Sequence, residues 1–240
     1  MLKLRKPLSQ NFLHDRSLVN RLVGLSSIGK LDLVLEIGPG DGIILESLLD
    51  RARQVIGIEI DFDLYQRLQQ RYKNRANLSL YLGDVLALPA PRGPYKVFSN
   101  IPFSIEGQLI RKFLDDPNPP EDCFLVVRRD LAERLLRQNT LFGATYGPFF
   151  EFSIFHRFRR RDFRPVPKVE AMMFRFKKRE KVLLSWEEKK RYQKFVRLGY
   201  GSGQPVYRNL KGRVKVPKYI KPNELSLENW IRIYKGLPAK

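Results

Sequence analysis

Residues 97–107 read VFSNIPFSIEG. An apolar run stops at an amide, Asn100, and continues into Ile101, Pro102 and Phe103. These residue types can hold a flat, polar ligand. The side-chain oxygen of Asn100 and a backbone carbonyl such as that of Pro102 are two acceptors for the two hydrogens of an exocyclic amine. Proline cannot donate, and it fixes φ, so its carbonyl keeps one direction. Phe103 supplies a ring on which a base stacks, as aromatics do in base-flipping sites. The lone pair of such an amine is delocalised into the base. It needs alignment more than a strong general base, and orientation is a large part of what a site can contribute. Taken alone, the same four residues also describe an Asn/Pro turn leading into a helix.

Three other places suit a ligand of the adenosine type. The loop EIGPGDG (36–42) follows an apolar run and opens a helix. Its glycines let a backbone approach a ligand closely. It does not match G-x-G-x-x-G and lacks the Lys and Ser/Thr of a phosphate loop, which argues against a triphosphate. A tight strand-to-helix turn would look the same. Glu59, about 20 residues further on, can accept both hydroxyls of a ribose. The alternative is a carboxylate at a helix N-terminus, a job that Asp61 or Asp63 would fill. Asp84 can accept the exocyclic amine of an adenine, with Val85 against the ring; it also reads as a cap residue. Glycine loop, ribose acid and amine acceptor, in that order, describe an adenosine site without a pyrophosphate.

The elements that must position these residues alternate. Strands are expected at 31–38, 54–60, 78–84, 95–100 and 123–129, and helices at 41–51, 63–74, 104–116 and 129–138. This is a doubly wound α/β sheet whose strand C-termini share one edge. Ligands bind at that edge in such sheets. Each candidate residue from Glu36 to Phe103 falls there. Beyond about residue 180 the texture changes to amphipathic helices over 185–201 and 225–237, separated by a segment rich in Gly, Pro and Lys. The division expected is a doubly wound α/β domain over 1–180 and a small, basic, helical domain over 181–240. Trp230 reads as a helix-packing anchor, and Met172 and Met173 as strand or core residues.

Composition narrows the partners. The chain has 240 residues, 43% hydrophobic and 29% charged, as expected of a globular protein. Cys123 is the single cysteine and there are two histidines, so neither an internal disulfide nor a zinc-type cluster is expected. The beginning of the chain is basic but lacks the apolar core of a secretory signal, and no apolar run is long enough to span a bilayer. A monomer in the reducing cytoplasm, with no membrane attachment, is the expectation. The formal net charge is +20, divided unevenly: +3 over residues 1–150 and +17 over 151–240. A field this lopsided favours nucleic acid.

With these residues in place, the chain resembles the ribosomal RNA adenine-N6 methyltransferases. LSQNFLHD, EIGPGDG, IEID, GDVL, NIPFSI and FRPVPKV occur in that family's order and spacing, over residues 8 to about 170. The resemblance implies a Rossmann-like domain followed by a small helical domain, with S-adenosyl-L-methionine as cofactor. It implies that Gln10, Asn11 and Leu13 lid the methionine end, that Glu36, Gly38 and Gly40 form the glycine loop, and that Glu59 with Ile60 holds the ribose. Asp84 and Val85 would contact the adenine, Asn100 to Phe103 would form the catalytic loop, and Phe163 would help hold a flipped base. Arg128, Arg129, Arg134, Arg137, Arg160, Arg161 and Arg164 are candidate phosphate contacts. Asn-Ile-Pro-Phe and the segment YQKFVRLGY are similar to the macrolide-resistance (Erm) branch. That branch implies 23S rRNA as partner, met before ribosome assembly is complete, and resistance to macrolides, lincosamides and streptogramin B. The alternatives are a small-subunit rRNA adenine dimethyltransferase and a non-catalytic nucleic-acid-binding protein that kept the cofactor site. In one place the chain departs from the pattern. Ser104-Ile105-Glu106-Gly107 stands where many relatives carry Ile-Ser-Thr after the aromatic, and Glu106 adds negative charge beside a site meant for RNA.

Overall fold

A computed structural model describes residues 11–201, 204–210 and 215–236. Their elements, in chain order, begin with β1 (Phe12–Leu13), α1 (Arg16–Leu25), β2 (Leu33–Ile37), α2 (Ile43–Leu49), β3 (Gln54–Glu59) and α3 (Phe62–Arg71). Then come β4 (Leu78–Leu82), β5 (Lys96–Asn100), α4 (Glu106–Asp115), β6 (Asp122–Arg128), α5 (Arg129–Leu135) and α6 (Leu141–Tyr146). The last are β7 (Phe150–Arg157), β8 (Phe163–Arg164), β9 (Ala171–Lys178), α7 (Lys189–Tyr200), α8 (Val206–Asn209) and α9 (Leu227–Lys235).

The main sheet has the strand order β4-β3-β2-β5-β6-β9-β7. From β4 to β6 all neighbours are parallel. The chain starts near the middle at β2, winds outward through β3 and β4, and returns to the other side of β2 at β5. The order therefore reverses between β2 and β5, which is where a ligand crevice is expected. The strands are apolar because both faces are covered: Val34, Val55, Val97, Phe124 and Val126 are all fully buried. Short polar side chains start several of the helices. Asp15 accepts from the Leu18 N–H before α1, and Asp61 from the N–H groups of Asp63 and Leu64 before α3. Asp122, 1% exposed at the start of β6, is satisfied by Arg175 through both Nε and Nη2, at 2.9 and 2.6 Å, and by the Ser27 hydroxyl at 2.7 Å.

The chain divides into two compact units. One holds the described residues up to Ala132 and Ile154–Arg175; the other holds Glu133–Ser153 and those from Phe176 onward. The expected boundary near 180 thus moves: α6 and the first residues of β7 belong with the C-terminal helices. In that second unit α6, α7 and α9 pack on Tyr192, Phe195 and Trp230, with Phe195 and Trp230 edge to face at 5.9 Å. Trp230 is the anchor its sequence context suggests; a Cβ at Gly199 would collide with its ring. Strands β7 and β9 were not among the strands expected from sequence; Met172 and Met173, read as strand or core residues, lie buried in β9.

Candidate active site

At the reversal point the sheet opens through one side chain. The β2–β5 ladder runs through Val34–Lys96 and Leu35–Val97. Continued in register, Ile37 would face Ser99, but no backbone bond joins them there. The Ser99 hydroxyl donates to the Ile37 carbonyl at 2.5 Å and accepts from the Ile37 N–H at 3.1 Å. Both residues are buried. One hydroxyl replaces the ladder bonds, so the strands part by a side chain while the Ile37 N–H and carbonyl both keep a partner. Ile37 leads directly into the glycine loop and Ser99 into Asn100. No motif pointed to Ser99.

The pocket at this opening is lined by Asn11, Phe12, Glu36, Gly38, Asn100 and Phe103 among others. Leu13, Ile101 and Pro102 also reach it. Gly38, Gly40 and Gly42 have φ of 62°, 60° and 85°, left-handed backbone that favours glycine. A Cβ on Gly38 would stand in open space, whereas one on Gly40 would collide with the Phe12 ring. Phe12 is held over the loop because β1 pairs antiparallel with β8, Phe12 opposite Arg164 and Leu13 opposite Phe163. Phe12, like Ser99, was missed from sequence: only the fold shows that the ring rests on a glycine. Gln10 lies outside the described residues.

The Asn100 Nδ2 donates to the Asn11 backbone carbonyl at 2.7 Å. A carbonyl can only accept, so this bond assigns the amide and leaves Oδ1 as an acceptor. The Pro102 carbonyl already accepts from the Ile105 N–H at 3.1 Å, which leaves it a second lone pair. Phe103 is half-buried and packs against the core. Glu36 is 1% exposed, and its Oε2 has no hydrogen-bond partner. Burial, and then the charges of Glu59 and Asp41, push its pKa well above the ordinary carboxylate value.

Several sequence expectations change. Asp61 caps α3 as foreseen, but Glu59 is not thereby left free. It is fully buried, and its carboxylate accepts from the N–H groups of Gly40 (3.0 Å), Ile60 (2.9 Å) and Asp61 (3.0 Å). Asp84 lies beyond the end of β4, exposed, and accepts from the Leu86 N–H at 2.8 Å; Val85 beside it is buried. Phe163 is 1% exposed, packed edge to face on Phe158 at 5.2 Å. It is a core ring and presents no face on which a base could stack. Glu106 does not face RNA: it is 2% exposed and paired with Arg128. Cys123 is fully buried, and burial followed by the Asp122 charge raises its pKa, so it is a core residue.

The arginines fall on both units. Arg129 pairs with Glu170 at 2.6 Å, and the Arg160 Nε donates to the Pro167 carbonyl at 2.7 Å. Arg161 and Arg164 are exposed in the first unit, Arg134 and Arg137 in the second. The basic excess is therefore not confined to the helical unit.

The profile of the family described as ribosomal RNA adenine dimethylase matches residues 1–200. The chain is 29% identical, over 98% of its length, to the rRNA adenine N-6-methyltransferase of Saccharopolyspora erythraea, and spans 66% of that protein. It is 26% identical, over 99% of its length, to the ribosomal RNA small subunit methyltransferase A of Dehalococcoides mccartyi, and spans 91% of it. The fold is similar to the crystal structure of the 23S rRNA methyltransferase ErmE, with a TM-score of 0.80 and 27% identity, over 95% of this chain and 99% of that one.

Proposed function

The chain belongs to the ribosomal RNA adenine dimethylase family, and on that premise we propose that it methylates N6 of an adenine in the peptidyl-transferase loop of 23S rRNA, conferring macrolide-lincosamide-streptogramin B resistance. The chain is an rRNA adenine N6-methyltransferase whose cofactor is S-adenosyl-L-methionine. The 23S target is supported by the Asn-Ile-Pro-Phe motif and by the likeness to ErmE.

The pocket suits the cofactor. Open space stands beside Gly38, and the unpartnered Glu36 Oε2 is an acceptor that a cationic amine would satisfy. Asn11, Leu13, Glu36 and Gly38 would hold its methionine end. Glu59 would reach the ribose through lone pairs not taken by the three backbone amides. Asp84 and Val85 remain the proposed adenine contacts. When bound, the cofactor supplies an electrophilic methyl carbon.

The remaining work falls to the chain. Asn100 Oδ1 and the second lone pair of the Pro102 carbonyl accept the two N6 hydrogens, which turns the nitrogen lone pair out of conjugation. The exposed part of Phe103 stacks on the target base. No side chain of histidine-like pKa is needed, because alignment carries the rate.

The single observation that carries this reading is the Asn100 amide, oriented by the Asn11 carbonyl at the mouth of the glycine-loop pocket. Purified protein should transfer labelled methyl to protein-free 23S rRNA, with primer extension mapping one adenine. N100A should lower the rate by about a thousandfold, the scale of lost orientation. The full-length match to a small-subunit enzyme favours a second reading, 16S-type dimethylation. Transfer to 16S rRNA or immature 30S particles at the 23S rate would replace the first reading with the second.

A further inference from the structure

The catalytic loop ends where α4 begins, and Glu106 is the first residue of that helix. A buried carboxylate is costly unless paired. Here Oε1 accepts from the Arg128 Nε at 2.6 Å and Oε2 from the Arg128 backbone N–H at 2.9 Å. One carboxylate thus grips both the backbone and the side chain of a residue at the end of β6. The pairing raises the Arg128 pKa, so its charge is permanent. Its side chain nevertheless stays 40% exposed, and Nη1 stops 4.0 Å from the Asp130 carboxylate, beyond hydrogen-bond reach. The outer edge of the guanidinium is thus partly exposed and, among the described residues, carries only this long, solvent-screened ion pair with Asp130.

The sheet register locates that edge. Asn100 lies opposite Val126, so Arg128 is two residues further along β6, about 7 Å past the catalytic amide at the same end of the sheet. We infer that Glu106 is a positioning residue that presents the exposed side of the Arg128 guanidinium to a phosphate of the RNA strand carrying the target adenine, which takes over from the long Asp130 pair. The inference rests on rRNA being the substrate. An arginine fork matches a phosphate in a way that an ammonium does not. Fixing Nε and the backbone together removes rotamer freedom before binding, so less is lost when the phosphate arrives. The negative charge of Glu106 is then no obstacle to RNA, because it is buried behind the cation it orients.

The test uses the full chain and whichever rRNA the wild type methylates. The double variant R128Q/E106Q leaves no buried charge unpaired and so avoids the folding penalty of R128Q alone. It should raise KM for RNA about tenfold and lower the slope of log affinity against log salt by about one. Its kcat and its calorimetric affinity for S-adenosyl-L-methionine should stay within twofold of wild type. E106Q should raise KM by a smaller factor with the salt slope unchanged, since Arg128 keeps its charge and loses its anchor. A double variant with wild-type KM and slope overturns the inference. So does one in which kcat and cofactor affinity fall while KM holds, because the pair would then only pin the loop. Wild-type transfer to 16S rather than 23S rRNA would overturn the target reading and leave this inference standing; transfer to neither would overturn both.

Discussion

Glu36 links stability to the proposed cofactor site in one side chain. Its carboxyl sits well above the ordinary 4.5, first from burial and then from the charges of Glu59 and Asp41. A raised folded pKa means that the folded protein binds this proton more tightly than the unfolded chain does. The contribution to stability is whole below about pH 4.5 and is lost as pH rises through the raised value. In cofactor-free protein, E36Q should therefore match the wild-type Tm near pH 4 and exceed it at pH 8. The same variant should bind S-adenosyl-L-methionine more weakly by calorimetry. A Tm that falls with pH as steeply in the variant as in the wild type would remove Glu36 from this account. At this scale the sequence named residue types well and environments poorly. Phe163 and Phe103 are the same side chain in two motifs, and only burial separates the core ring from the pocket ring. Glu59 was identified as an acid at a strand end, but three backbone amides now occupy it.

At the scale of elements, the crevice between β2 and β5 depends on Ser99. Alanine there would leave the Ile37 N–H and carbonyl buried without partners, at about 1–3 kcal/mol for each such group. S99A should lower Tm, at roughly 2–4 °C per kcal/mol for a chain of this size. It should also lower kcat at a temperature where the variant is fully folded, because the glycine loop and Asn100 share this one link. Full activity of folded S99A would show the bridge to be structural only. Periodicity could not reveal it: a serine in an apolar strand is just a small residue, and its partner lies 62 positions away. By contrast, β2, β3, β5 and β6 and the helices between them were legible, since each is a long apolar or amphipathic run bounded by turn residues. β7 and β9 are less legible, because charged residues interrupt their apolar runs.

For the molecule as a whole, charge is the dominant property. The excess of +17 over residues 151–240 includes Arg157, Arg159, Arg160, Arg161 and Arg164 of the first unit as well as the C-terminal helices. RNA association should therefore be steeply salt-dependent, falling roughly a thousandfold or more between 50 and 200 mM salt if six or more phosphates are engaged. Filter binding across that range measures it, and a flat response would exclude a phosphate-led encounter.

The sequence by itself determined the class of fold and the order along the chain of the candidate loop, acid and acceptor and of the Asn-Ile-Pro-Phe segment. These are local patterns, written in consecutive residues. Tertiary structure alone decided the ring of Phe12 resting on Gly40 and which polar groups are occupied: Asn100 turned by Asn11, Ser99 bridging to Ile37, and Glu106 gripping Arg128. Each of these joins residues far apart in the chain. A buried polar group must be satisfied by whatever the fold brings to it, and no local pattern records that partner.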